Sequence, residues 1–122
     1  LKIFVEQALK NEPITIYGDG TQIRSWCYVS DMVAATLLCM ENDGAIGESF
    51  NIGNVRSVET IYGLANTVVL ICNSSSLIRF VPAKSADIEL RIPCVKKAKE
   101  VLGFEARVDL EEGIRLTAAS LR

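Results

Sequence analysis

Apolar positions recur along this chain with two different periods, and the period switches often. Within residues 2–11, Phe4, Ala8 and Leu9 fall at helical spacing, and Lys10, Asn11, Glu12 and Pro13 stop the run. From Ile14 to Tyr17 apolar and polar positions alternate, which predicts a strand. Gly18, Asp19 and Gly20 then read as a turn, because glycine takes positive φ cheaply and aspartate tolerates it. Residues 26–29 predict a second short strand, with Ser30 or Asp31 capping the next helix. That helix, over 32–40, has almost no polar face, so burial on more than one side is expected.

Asn42, Asp43 and Gly44 end this helix, and residues 48–52 read as a buried strand closing at Gly53. Thr60 caps a helix with Ile61, Leu64, Ala65, Val68 and Cys72 on one stripe, and residues 73–76 form its exit loop. Leu77 to Val81 is a strand that Pro82 stops. Pro93 opens a short helix carrying Val95, Ala98 and Leu102, which Gly103 ends. The run DLEE at 109–112 is a capping box for a last helix with Leu110, Ile114, Thr117 and Leu121 inward. Short strands alternating with about five helices make this an α/β chain, and no repeat or interdomain linker interrupts it.

At 122 residues the chain is one domain or a piece of one. Its mean hydropathy of +0.25 is high for a small domain that must cover its own surface. The apolar helix 32–40 and residues 50–52 are therefore expected to face a further half of the protein. The helical pattern already runs at Leu1, with no methionine and no cap before it, so a chain cut from something longer is expected. A formal charge of −2 argues against nonspecific nucleic-acid binding, and an anion must meet a local cluster rather than a global field. The absence of histidine removes the usual general base, and with Cys27, Cys39, Cys72 and Cys94 irregularly spaced, no metal site is expected. Reduced thiols, no run of eighteen apolar residues and no legible leader point to a cytoplasmic protein without a membrane span.

Arg24 follows the glycine turn, and its forked donors match a phosphate; on position alone it is equally a surface arginine or a partner of Asp31. Arg91 precedes the proline-started helix, where an anion site is plausible; a salt bridge to Asp87 or Glu89 explains it as well. Tyr17, on the strand before the turn, suits a nucleobase or simply the core. Thr60 is most simply a cap, with a hydroxyl that can also face a phosphate. Asn51, polar within an apolar stretch, is expected to bond a neighbouring loop. Trp26 reads as core, and Cys94 lacks an adjacent base that would make it a nucleophile.

Four stretches, at 14–33, 48–54 (ESFNIGN), 60–65 (TIYGLA) and 87–113, together resemble nucleotide-sugar epimerases, dehydratases and decarboxylases of the extended short-chain dehydrogenase/reductase family. The likeness covers nearly the whole chain and implies the C-terminal, substrate-binding portion, residues 1–122, of a Rossmann-type enzyme. By that resemblance Arg24 and Arg91 grip the diphosphate of a nucleotide-sugar. Tyr17 and Thr15 lie along the base, Thr60 sits near the phosphates, and Gln22 is a weaker candidate from the same loop. The resemblance also implies bound NAD and a homodimer for the full enzyme. Ser25 stands where an aspartate usually follows the arginine, and Cys94 where a capping residue is usual; the loop's hydrogen bonds and the following helix are the features these changes touch.

The family's glycine-rich dinucleotide fingerprint is not present at glycines 18, 20, 44, 47, 53, 63, 103 and 113. Its acid/base tyrosine with a lysine four residues on is also lacking: Tyr17, Tyr28 and Tyr62 are followed at that spacing by Thr21, Met32 and Asn66. No catalytic residue is therefore assigned, NAD is expected on a missing N-terminal half, and the chain is not expected to act alone. A noncatalytic nucleotide-binding module on the same fold, or an unrelated α/β interaction domain, remains the alternative.

Overall fold

The computed structural model describes residues 1–83 and 88–122. In chain order the elements are α1 (Lys2–Leu9), β1 (Ile14–Tyr17), β2 (Ile23–Ser25), α2 (Val29–Glu41), a 3-10 turn (Asp43–Ala45), β3 (Val58–Thr60), α3 (Ile61–Ile71), β4 (Ile78–Val81), β5 (Leu90–Arg91), α4 (Lys96–Leu102) and α5 (Leu110–Ser120). Among the described residues, short strands and five α-helices thus alternate, as the periodicity predicts.

Among the described residues, two small sheets organise them. β1 pairs in parallel with β4, Ile14 opposite Ile78 and Tyr17 opposite Val81. β2 is the centre of the other sheet, antiparallel to β3 and parallel to β5. The period of two on β1 sends Ile14 and Ile16 into the main core, where Val5, Ala8, Leu64, Val68 and Ile114 meet them from α1, α3 and α5. Each fully buried Ile or Leu there contributes roughly 1.5–3 kcal/mol. A second cluster joins Ala35 of α2 to Ala98, Leu102, Phe104 and Ala106 around α4.

Turn chemistry closes these units. Gly20 sits at φ +75°, and a Cβ there would lie 3.1 Å from the Tyr62 Cβ and 3.3 Å from Ile16 Cγ2, so only glycine fits. Gly103 takes φ +65° as the C-cap of α4. Asn11, at φ +55°, ends α1 and accepts from the Ser75 amide at 2.9 Å, tying the two loops at that end together.

Several expectations need correction. The second strand is Ile23–Ser25, earlier than residues 26–29, because its partners β3 and β5 select that register; Val29 already begins α2. Neither Ser30 nor Asp31 caps α2; its N-cap is Tyr28, with no side-chain cap bond. Residues 48–52 form no strand and are exposed or half-buried, and Asn51 is exposed. Gly53 is the pressed point there, since a Cβ would fall 2.4 Å from the Pro93 Cγ. α4 starts at Lys96 rather than at Pro93. Asp109 is the N-cap of α5 but makes no side-chain cap bond, because its carboxylate accepts from Arg56 Nη2 at 2.9 Å. Asp87, offered as a partner of Arg91, lies outside the described residues.

Helix α2 buries only Asp31 and Ala35 and leaves Val29, Met32, Val33, Leu37 and Met40 exposed, Met40 by 77%. No helix among the described residues is long and apolar enough to cross a membrane.

Candidate functional site

The glycine turn delivers the chain into β2, and β2 places Arg24 at the centre of the three-stranded sheet. Arg24 is in register with Glu59 on β3 and with Arg91 on β5. Register partners in a sheet direct their side chains to the same face, about 4.8 Å apart along the hydrogen-bonding direction. The backbone positions of two arginines are thus adjacent in the sheet, with that of Glu59 on the other side of Arg24.

Arg24 is half-buried, and its Nη1 donates to the Ile23 carbonyl at 2.9 Å. Arg91 is exposed. Asp31 is not spent on Arg24: its Oδ2 accepts from the amides of Arg107 at 3.1 Å and Val108 at 3.0 Å.

Thr60 is the N-cap of α3, its Oγ1 accepting from the Gly63 amide at 2.9 Å. Glu59 Oε1 accepts from the Thr60 amide at 2.8 Å, and its carboxylate packs against Gly63, so a negative group of the chain itself covers the positive end of α3. The Thr60 hydroxyl is thereby committed to the cap and to Glu59, at 3.3 Å.

Tyr17 and Thr15 lie on β1, in the other sheet, on the face opposite the buried Ile14 and Ile16. Tyr17 is exposed, and the Gly18 amide after it donates to the Val81 carbonyl at 2.8 Å. Gly18, Asp19, Phe80, Val81 and Pro82 line an open depression at this end of the sheet. Gln22 joins the two sheets: its Nε2 lies 3.3 Å from where a Cβ on Gly18 would be, and its Oε1 is buried without a partner among the described residues. The fold thus brings Arg24 and Arg91 together on one sheet, whereas Thr60 pairs with Ile23 and its side chain belongs to the other face of that sheet; Gln22 leads into β2. Thr15 and Tyr17 stand across the glycine turn.

At the turn, Asp19 Oδ1 accepts from Thr21 N at 3.0 Å and Thr21 Oγ1 at 2.7 Å, and these bonds, the amide's foremost, hold the carboxyl below its usual range. Burial, with Asp31 as a lesser cause, pushes the Cys27 thiol up, opposite to what a nucleophile needs. All four cysteines are free.

Sequence reasoning missed a polar spine behind β2. Asn54, 1% exposed, donates from Nδ2 to the Val108 carbonyl at 2.9 Å and accepts the Arg56 amide at 3.0 Å. Its carbonyl accepts from Ser25 Oγ at 2.8 Å. The loop bonding expected of Asn51 is thus done by Asn54, three residues on, and the signal was an Asn directly after the Gly53 that marks a close approach. Ser25, the departure from the family pattern, has its hydroxyl engaged.

The Gly18–Gly20 turn links two strands rather than a strand and a helix, and the start of α3, which directly follows β3, is covered by Glu59.

The model of the NAD dependent epimerase/dehydratase family matches residues 1–53. UDP-glucuronic acid decarboxylase 5 of Arabidopsis thaliana is 43% identical over 98% of this chain and 34% of its own length. UDP-glucose 4-epimerase of Thermotoga maritima, solved with UDP-glucose, superposes with a TM-score of 0.89 at 38% identity, over 98% of this chain and 38% of that one. UDP-glucuronic acid 4-epimerase of Bacillus cereus, solved with UDP-glucuronic acid and NAD, gives 0.87 at 26% identity, over 98% and 39%. The chain spans about a quarter to a third of the length of the curated relatives it matches. Its fold is that of the Rossmann-type extended short-chain dehydrogenases/reductases, and with these relatives aligned over 98% of its length, the chain belongs to the NAD dependent epimerase/dehydratase family.

Proposed function

We propose that residues 1–122 are the C-terminal nucleotide-sugar-binding portion of an NAD-dependent epimerase, dehydratase or decarboxylase. The register pairing of Arg24 with Arg91 supports this reading, because neighbouring backbone positions on one sheet face allow two guanidiniums to reach one diphosphate. A UDP-sugar is the ligand of choice, since relatives are named for UDP-glucuronic acid and a structural neighbour holds UDP-glucose. Tyr17 and Thr15 lie along the base, and Gln22 contributes from the connecting loop. Thr60 acts near the phosphates by holding the start of α3. NAD and the acid/base pair belong to a further, N-terminal portion, which docks on the apolar face of α2. The complete enzyme is a cytoplasmic homodimer.

Holding the sugar's diphosphate fixes the reacting carbon relative to a cofactor, and such orientation is worth several kcal/mol of barrier. Calorimetric titration of this chain with UDP, dTDP and GDP tests the reading. UDP is expected to bind, with affinity falling as salt rises. If none of the three binds, the reading fails.

A further inference from the structure

We infer that Ser25 and Asn54 form a positioning pair for Arg24, an inference that rests on the diphosphate reading above. Successive residues of a strand point to opposite faces. Arg24 faces the site, so Ser25, next to it, faces behind. There its Oγ donates to the Asn54 carbonyl at 2.8 Å. The hook therefore fixes the backbone at Arg24 without occupying any of the space a ligand needs.

Asn54 is a rigid anchor for that hook. It is 1% exposed, and both ends of its side-chain amide are used, on the Val108 carbonyl and the Arg56 amide. The same carbonyl that receives Ser25 also receives the Ser57 amide at 3.1 Å, and the Ser57 carbonyl receives the Trp26 amide at 2.8 Å. Val108 is held in turn by Asp31, 4% exposed, through its amide. Three of the buried polar residues, Asp31, Asn54 and Ser57, thus belong to one connected spine that ends on the residue beside Arg24. The Ser57 hydroxyl is buried without a partner among the described residues, so the spine runs through backbone groups, the Asn54 amide and the Asp31 carboxylate, and these bonds restrict the geometry of what they hold. Arg56 locks the outer end, donating from Nη2 to the Ala106 carbonyl at 3.0 Å and to Asp109.

A residue that only stabilises the fold and a residue that positions Arg24 respond differently to graded change. UDP binding is measured by calorimetry, and melting by circular dichroism, for the wild type and for Ser25→Thr, Ser25→Cys, Ser25→Ala and Arg24→Ala. Threonine keeps the hydroxyl, the thiol of cysteine is a weak donor, and alanine has none. The expected order of UDP affinity is Ser and Thr alike, then Cys, then Ala about fivefold weaker, with melting temperatures that do not follow the same order. If Ser25→Ala does not fold, the Ser, Thr and Cys series still reads the order. Unchanged affinity across the series, or a threonine that fails to restore it, overturns the positioning role while the loss in Arg24→Ala leaves the site intact. If Arg24→Ala also binds UDP as the wild type does, it is the diphosphate reading that has failed.

Discussion

Arg24 on β2 and Arg91 on β5 are register partners in a parallel ladder, although most of the chain separates them in sequence. β5 contributes only Leu90 and Arg91 to the sheet. A two-residue strand at a sheet edge stabilises the fold little, and its effect is to set one arginine beside another. Glu59, in register on the other side of Arg24, turns its carboxylate to the start of α3, where it accepts from the Thr60 amide.

The turn that feeds β2 depends on Gly20. Gly20→Ala forces a side chain into φ +75° and presses its Cβ on Tyr62 and Ile16. A loss of about 1–3 kcal/mol in urea unfolding is expected. Gly47→Ala, at φ +73° with nothing within 4 Å, carries the backbone strain without the contact and is expected to lose less.

The same turn is pH-sensitive in one direction. The Thr21 amide, and secondarily its hydroxyl, lower the folded pKa of Asp19. A depressed carboxyl contributes stability that is present above its unfolded pKa and is lost as pH falls through the folded value. Thr21→Val removes the hydroxyl and leaves the amide, so the Asp19 carboxyl should titrate at higher pH than in the wild type, though still below its ordinary range. An NMR titration of the Asp19 carboxyl carbon checks this; an unmoved midpoint would show that the hydroxyl plays no part.

Val29, Met32, Val33, Leu37 and Met40 leave a helix face without cover. This chain is expected to self-associate through it. In sedimentation experiments Leu37→Lys with Met40→Lys should shift the population toward monomer and leave the melting temperature within a few degrees, since neither side chain is in either core. Wild-type chain sedimenting as a monomer at high concentration would count against an exposed docking face.

What the sequence discloses follows the range of the interactions involved. α1, α3 and α5 are legible because their stripes are local, and Thr60 and Gly103 act as the caps their positions imply. The glycine turn is legible because positive φ is a property of single residues. β2 is misplaced because Trp26, Cys27, Tyr28 and Val29 have the stronger strand composition. The observed strand is chosen by β3 and β5, whose Glu59 and Arg91 carry no apolar signal. Phe50 and Ile52 suggest a strand, yet they pack beside the α4 core without pairing. Asp109 has the composition of a capping box, but Arg56, distant in sequence, takes its carboxylate. At the candidate site, Arg24 and Arg91 stand out by family resemblance, whereas the spine of Asp31, Asn54 and Ser57 depends on loops that meet only in three dimensions.

The most direct measurement is the affinity for UDP of the wild type, Arg24→Ala, Arg91→Ala and the double variant, at one fixed salt concentration. A charge-assisted contact is worth about 1.5–3 kcal/mol, so each single change should weaken UDP binding about tenfold or more. Because the two positions are neighbours, their effects should depart from additivity by more than about 0.5 kcal/mol. Either single variant binding UDP as tightly as the wild type would mean that the two arginines do not share a ligand.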